Sequence, residues 1–282
     1  MDVTGVVYAF APLNAAAFAL RKKMAWSRGR VEHANEAKND LFAYADEGST
    51  SLALRERELR ERYELARLFA SSSCSDYREN LYLLDLLDRH AGAHARRAFG
   101  GQPRIRALDV GSKDFRYAFG LAHWLRHGTG GPSRDVALTG IELDGHPIYA
   151  DLHSRKDHAD AYAREVDRAT VDYLVKDVLE HEEREVDLVF LFFPFVLEYA
   201  LLRWGLPRRC FLPQRILRHV RTLLRPGGLV VVMNHTEAEH RRQLELLTDA
   251  GFDILSTARA ESALVDYALD VPERTITIAR RR

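Results

Sequence analysis

The stretch "ALDVGSKDF", Ala107 to Phe115, decides the fold. A short apolar strand runs into a small loop and then into an amphipathic helix, "DFRYAFGLAHWLRH", with Phe115, Phe119, Ala122 and Leu125 on one side. Chains turn this way to bring backbone close to a ligand. The loop has one early glycine, no G-x-G-x-x-G and no phosphate-binding lysine motif. The expected ligand is nucleotide-like, but its recognition does not centre on phosphates.

Downstream the alternation continues. "RIRALDV" and "DVALTGIEL" read as the first two strands, followed by a helix across about Ala150 to Val166. "VDYLVKD" is a third strand and "VDLVFLFF" a fourth, nearly continuously apolar as a strand buried on both faces should be. The helix "PQRILRHVRTLL" ends at Arg225-Pro226-Gly227-Gly228, and "LVVVMN" is a fifth strand. Thr236 with Glu239 forms a capping box for the helix "EAEHRRQLELLTDA". "FDILSTA" and "RTITIAR" are two further strands, joined by a long hairpin connection, "ESALVDYALDVPE". The fold class is therefore α/β. A doubly wound seven-stranded sheet is expected, mostly parallel with the last strand antiparallel, plus an N-terminal helical region.

Upstream, residues 1–100 read as helical. Leu52, Leu59, Tyr63, Ala66 and Ala70 recur at helical spacing, Ser71-Ser72-Ser73 breaks the run, and Ser75 or Asp76 caps the next helix. Tyr77, Leu81, Leu84 and Leu87 form that helix's apolar stripe. Gly100 to Pro103 is a linker, so residues 1–100 and 101–282 are expected as two regions. The first would serve as a lid, a substrate pocket or an oligomer face, including a homodimer through the N-terminal helices. Val3 to Leu20 is mostly apolar, but its positive charge, Arg21-Lys22-Lys23, follows the run rather than preceding it as in a signal peptide. A buried or partner-facing helix is expected there, with membrane contact by residues 3–20 the alternative.

The 282 residues carry 41 basic and 41 acidic side chains, so no net field draws the chain to nucleic acid, and none is expected as a partner. Cys74 and Cys210 are the only cysteines, far apart and without C-x-x-C. They point to a reducing, cytoplasmic setting and no zinc site. His235 and His240 flank Glu237 and Glu239 but do not make H-E-x-x-H, so no metal is expected.

In open sheets of this kind ligands sit beyond the carboxyl ends of the strands. Those ends carry Asp109 and Gly111, Glu142, Asp177 with Val178, Phe192 to Phe195, and Asn234-His235. Gly111 allows close approach to backbone. Glu142 can accept two hydrogen bonds from a vicinal diol such as a ribose, Asp177 can accept from an exocyclic amine, and Asp109 can face an ammonium. The implied ligand has a diol, an adenine-type amine and a positive charge.

This arrangement resembles the class I S-adenosylmethionine-dependent methyltransferases. The resembling stretches are "ALDVGSKDF", "LTGIELDG", "LVKDVLE", "VDLVFLFF" and "LLRPGGLVVV", spread over about Arg104 to Arg282. The resemblance implies a Rossmann-like domain and S-adenosyl-L-methionine as cofactor. It puts Asp109, Gly111 and Ser112 on the loop that holds the methionine moiety, Glu142 on the ribose hydroxyls, and Asp177 with Val178 at the adenine. The family's G-x-G-x-G is reduced here to Gly111 followed by Ser112-Lys113-Asp114. Phe192-Phe193-Pro194-Phe195 replaces the Asp/Asn-Pro-Pro-aromatic motif of nucleic-acid amino methylation. A small-molecule substrate methylated at oxygen or nitrogen is therefore expected. Phe193, Phe195 and Tyr82 are candidates to line its pocket, and His235 and Glu198 to take up a proton. The alternatives are a catalytically silent methyltransferase-like binding domain and a nicotinamide-dependent oxidoreductase. The second is disfavoured because the acid lies 31 residues beyond Gly111 instead of about 20.

Overall fold

The structure, a computed structural model, describes residues 7–38, 41, 47–130, 134–264 and 273–282. Seven strands form one sheet: β1 (Arg104–Val110), β2 (Asp135–Glu142), β3 (Thr170–Val175), β4 (Val186–Phe192), β5 (Leu224–Asn234), β6 (Phe252–Arg259) and β7 (Thr275–Arg281). Their order is β3-β2-β1-β4-β5-β7-β6. The pairs from β3 through to β5 are parallel, and β7 enters antiparallel between β5 and β6. The strand order reverses between β1 and β4, so the crevice for a ligand opens beyond their carboxyl ends.

Helices precede and cover the sheet: α1 (Ala11–Met24), α2 (Glu47–Arg62), α3 (Ala66–Ser71), α4 (Cys74–Leu86), α5 (Gly92–Phe99), α6 (Ala118–His127), α7 (Arg155–Glu165), α8 (Glu198–Arg203), α9 (Pro213–Leu223) and α10 (Glu237–Asp249). The two-residue period of the strands sorts their side chains between two cores. Ile105, Ala107, Leu188, Phe190, Leu229 and Val231 face one layer together with Leu81, Leu84, Phe99 and Trp124 from the helices. Leu108, Val189, Leu191, Val230 and Val232 face the other, against Leu217 and Val220 of α9 and Leu246 and Leu247 of α10.

The N-terminal helices share the first of these cores with the sheet, because Leu59, Tyr63, Tyr77 and Leu87 belong to the same buried cluster as β1. The expected linker is a tight turn. Arg134 crosses to it, donating through Nη2 to the carbonyls of Phe99 (2.9 Å) and Gly100 (3.3 Å).

Several boundaries moved for local reasons. The helix expected through Ala70 breaks at Glu64, whose φ of 52° is left-handed. Ser73, not Ser75 or Asp76, caps α4, its Oγ accepting from the Asp76 N–H. The helix expected from Asp114 starts at Ala118, because Lys113 and Phe115 adopt φ of 51° and 57°. The helix expected from Ala150 starts at Arg155, where Ser154 and Asp157 make a capping box. The box at Thr236 and Glu239 forms as expected. Of the connection between β6 and β7, residues 265–272 lie outside the described residues.

Helix α1 lies across the carboxyl rim of the sheet. Phe18 buries against Leu201, Leu202 and Leu206, and Asn14 donates to the Leu202 carbonyl at 2.8 Å. Arg21 grips Asp144 through Nε and Nη2, the shortest contact being 2.6 Å. Phe10, Leu13, Leu20 and Met24 stay exposed on the far side of the helix. Among the described residues no helix is long and apolar enough to cross a membrane. Of the apolar run from Val3, residues 3–6 lie outside the described set.

Candidate active site

Asp109 stands near the end of β1, between Gly140 of β2 and Phe190 of β4. It is fully buried, and neither carboxylate oxygen has a hydrogen-bond partner. Burial, and then the neighbouring Glu142 carboxylate, push its pKa well above the ordinary aspartate value. An unpartnered buried carboxyl is costly and demands a reason.

The chain beyond it turns at Gly111, with φ of 80°. A Cβ there would meet nothing within 4 Å, so the glycine serves the backbone conformation and leaves an open face. Ser112 is fully buried beside Gly140, and its Oγ is unpartnered.

Glu142 ends β2 and is also buried. Its Oε2 accepts from the Lys113 N–H at 3.0 Å and its Oε1 from the Asp144 N–H at 2.9 Å. Arg155 approaches Oε1 at 3.5 Å. Burial raises the Glu142 pKa, and Arg155 and the two N–H groups only partly offset this. Each oxygen keeps a second lone pair for an incoming donor. Asp177 follows β3 and spends one oxygen on the Leu179 N–H at 2.9 Å; Val178 beside it packs into the core with Leu108 and Ile141.

A second group gathers at the end of β5. Phe193 takes a left-handed φ of 57°, an uncommon conformation for an aromatic residue, and its ring stacks on His235 at 3.8 Å. Arg274 lies over the rings of Phe193 and Tyr82, at 5.4 and 6.0 Å. The Tyr82 hydroxyl donates to the Ala260 carbonyl at 2.8 Å. Burial and the Arg274 charge bring the His235 imidazole down to about 4. It is therefore neutral at pH 7, and its buried Nδ1 has no partner.

His235, Phe193 and Tyr82 thus converge. Glu198 does not join them: it opens α8 and binds Arg208 Nε at 2.6 Å. Phe195 faces away as well, into the cluster of Phe18, Leu201 and Trp204 under α1.

Sequence reasoning did not single out Tyr117 or Arg274. Tyr117 opens α6, its ring edge-on to Phe192 at 5.6 Å. Burial and the charges of Asp109, Asp114, Glu79 and Glu142 push its phenol up. The signal for Arg274 was the antiparallel last strand itself. Thr275 pairs with Asn234, so β7 begins at the rim where β5 ends. A depression of about 380 Å³ between Arg104, Asp135 and Arg168 opens at the opposite edge, where the strands begin, and contributes nothing to this site.

The strand order, with β7 antiparallel between β5 and β6, is that of the class I methyltransferase fold. No family model and no curated protein matches the chain. Among solved structures it is similar to a SAM-dependent methyltransferase from Aquifex aeolicus, at 14% identity over 70% of this chain and 92% of that one, with a TM-score of 0.46. It is similar to magnesium protoporphyrin IX methyltransferase from Synechocystis PCC 6803, solved with bound SAM, at 14% identity over 89% and 100% of the two chains, TM-score 0.44. A cyclase matches at 17% identity over 69% and 81%, TM-score 0.43. Likeness this distant leaves the activity to be argued from the site itself.

Proposed function

We propose that the chain is an S-adenosyl-L-methionine-dependent methyltransferase acting on oxygen or nitrogen of a small molecule. The observation that carries this reading is Asp109, a fully buried carboxyl with no partner beside a second buried acid. Two acids placed this way suit a ligand that brings positive charge. The bare Ser112 hydroxyl and the open face at Gly111 suit its close approach. The residues fit the cofactor: Asp109 to the ammonium end, the spare lone pairs of Glu142 to the ribose diol, and the free oxygen of Asp177 to the adenine amine.

When bound, the cofactor supplies a methyl group already activated on a sulfonium. The chain's own task is then to position the acceptor, and near-attack geometry contributes about 7–11 kcal/mol. Phe193 and His235 form a stacked wall for the acceptor, with Tyr82 beside Arg274. A histidine held near 4 is a weak base at neutral pH. Its role is to accept a hydrogen bond from the acceptor's hydroxyl or amine and orient it, while the proton passes on to solvent. Glu198, spent on Arg208, takes no part.

The separate settings of the two phenylalanines give a test of this division. Phe193→Ser should lower kcat by up to about 100-fold, the cost of a misplaced reactant, with cofactor affinity nearly unchanged. Phe195→Ser should instead loosen the seat of α1 and weaken cofactor binding. Equal losses of both parameters in Phe193→Ser would argue against the wall.

A second reading, a silent methyltransferase-like binding domain, is favoured by the exposed Phe10, Leu13, Leu20 and Met24 on α1. Calorimetric titration with S-adenosylmethionine, S-adenosylhomocysteine and NAD distinguishes the two. Binding of the first two alone supports the enzyme, and no heat with any of the three leaves the binding domain.

A further inference from the structure

Far from the rim, at the C-terminal end of α6, His123 and His127 stand one turn apart on the same face. Glu64, in the turn between α2 and α3, reaches the same point. One ligand atom from each of the three lies within 4.8 Å of the other two. The His127 Nε2 to Glu64 Oε2 distance is 3.6 Å. Neighbouring donors around a tetrahedral zinc, with bonds of about 2.0–2.2 Å, stand about 3.3–3.6 Å apart.

The tautomer of His123 is set by its surroundings. Its Nδ1 lies 2.7 Å from the Tyr63 carbonyl, which can only accept, so Nδ1 carries the hydrogen. Phe119 stacks on the ring at 4.2 Å and holds its plane. The Nε2 lone pair of the neutral ring then faces another acceptor, Asp167 Oδ1 at 3.3 Å. The Nε2 of His127 is buried 3.6 Å from Glu64 Oε2 and has no hydrogen-bond partner. A second proton on His123 would place a cation in the core, where His123 is 2% exposed.

We propose that His123, His127 and Glu64 bind a divalent transition-metal ion, zinc by ligand chemistry, with Asp167 as the carboxylate flanking His123. Two imidazoles and a carboxylate are a borderline donor set that suits zinc, and a carbonyl on the remote ring nitrogen is the usual support of a ligating histidine. Arg168 Nη1 donates to Glu64 Oε2 at 2.9 Å and orients that carboxylate. Glu64 and Arg168 both hold left-handed φ, 52° and 57°, so two strained turns converge on the pair of histidines. The ion would tie the N-terminal helices, α6 and the approach to β3 together. It lies away from the carboxyl rim, so its role is structural and independent of the proposed methyl transfer.

The test uses full-length protein stripped with a chelator and titrated with zinc chloride, then with cobalt chloride. One ion per chain is expected, with the intense visible absorption of tetrahedral cobalt and a higher melting temperature with zinc. Glu64 is exposed, so Glu64→Gln should keep the fold, and it should weaken zinc binding at least tenfold. His127→Gln should abolish it. His153→Gln, in a second cluster with Asp151 and His158, should leave it unchanged. Absence of stoichiometric binding by the wild type would overturn the proposal. So would binding that survives both Glu64→Gln and His127→Gln, or that is lost in His153→Gln.

Discussion

Glu142→Ala should weaken S-adenosylmethionine binding by about 1.5–3 kcal/mol, the worth of a charge-assisted hydrogen bond. That is a rise in Kd of about 10- to 150-fold by calorimetry. The same change should also lower the melting temperature. Glu142 holds the Lys113 and Asp144 N–H groups, and its loss leaves Arg155 buried with a weakened set of partners. Breaking a buried ion pair from one side costs about 3–5 kcal/mol. Arg155 Nη1 keeps the Asp144 carbonyl at 2.8 Å, so the lower end applies. At about 3 kcal/mol, and for a chain of this length, the melting temperature should drop by about 6–12 °C. Unchanged affinity in a folded variant would remove Glu142 from the cofactor site.

Asp109→Asn should have the opposite effect on stability and a comparable one on binding. The raised pKa of Asp109 comes from burial first and from Glu142 second. An acid raised on folding contributes stability that is present below the unfolded pKa and is withdrawn as pH rises through the folded value. The wild type without ligand should therefore lose stability as pH rises above the ordinary aspartate range, and the asparagine variant should lack that decline. Melting curves across pH 5 to 8 read the difference. A ligand that needs the charged form must displace the proton. Wild-type affinity for S-adenosylmethionine should rise with pH, up to tenfold per unit below the folded pKa, and this slope should vanish in Asp109→Asn. A variant that binds as tightly as the wild type, with the same slope, would sink the assignment.

Much of the fold was legible because period and punctuation agree. Val186 to Phe192 is unbroken apolar sequence and is buried along its whole length in the middle of the sheet. The antiparallel last strand followed from the lack of a crossover helix before it. The starts of α6 and α7 were misplaced because left-handed Lys113 and Phe115, and the cap at Ser154, are decisions of loop geometry rather than of hydrophobic pattern. For the candidate site, strand ends singled out Asp109, Glu142 and Asp177, since topology dictates where a parallel strand stops. Sequence could not show that Arg208 would occupy Glu198, or that Phe193 and Phe195 would face different clusters across a single proline. The histidines at 123 and 127 have a readable spacing, but their carboxylate comes from a turn some sixty residues upstream, which only the packed structure brings close.

The seat of α1 has a consequence for how the molecule is made. Arg21 waits for Asp144, 123 residues further along the chain. At ribosomal speeds of about 5–20 residues per second, that interval is about 6–25 s. Helix α1 thus emerges well before its partners, and until Leu201, Leu202 and Leu206 follow, the Phe18 side of α1 is as bare as its Leu13 side. Nascent chains in this window are where chaperone engagement or mispairing between neighbours on one messenger would concentrate.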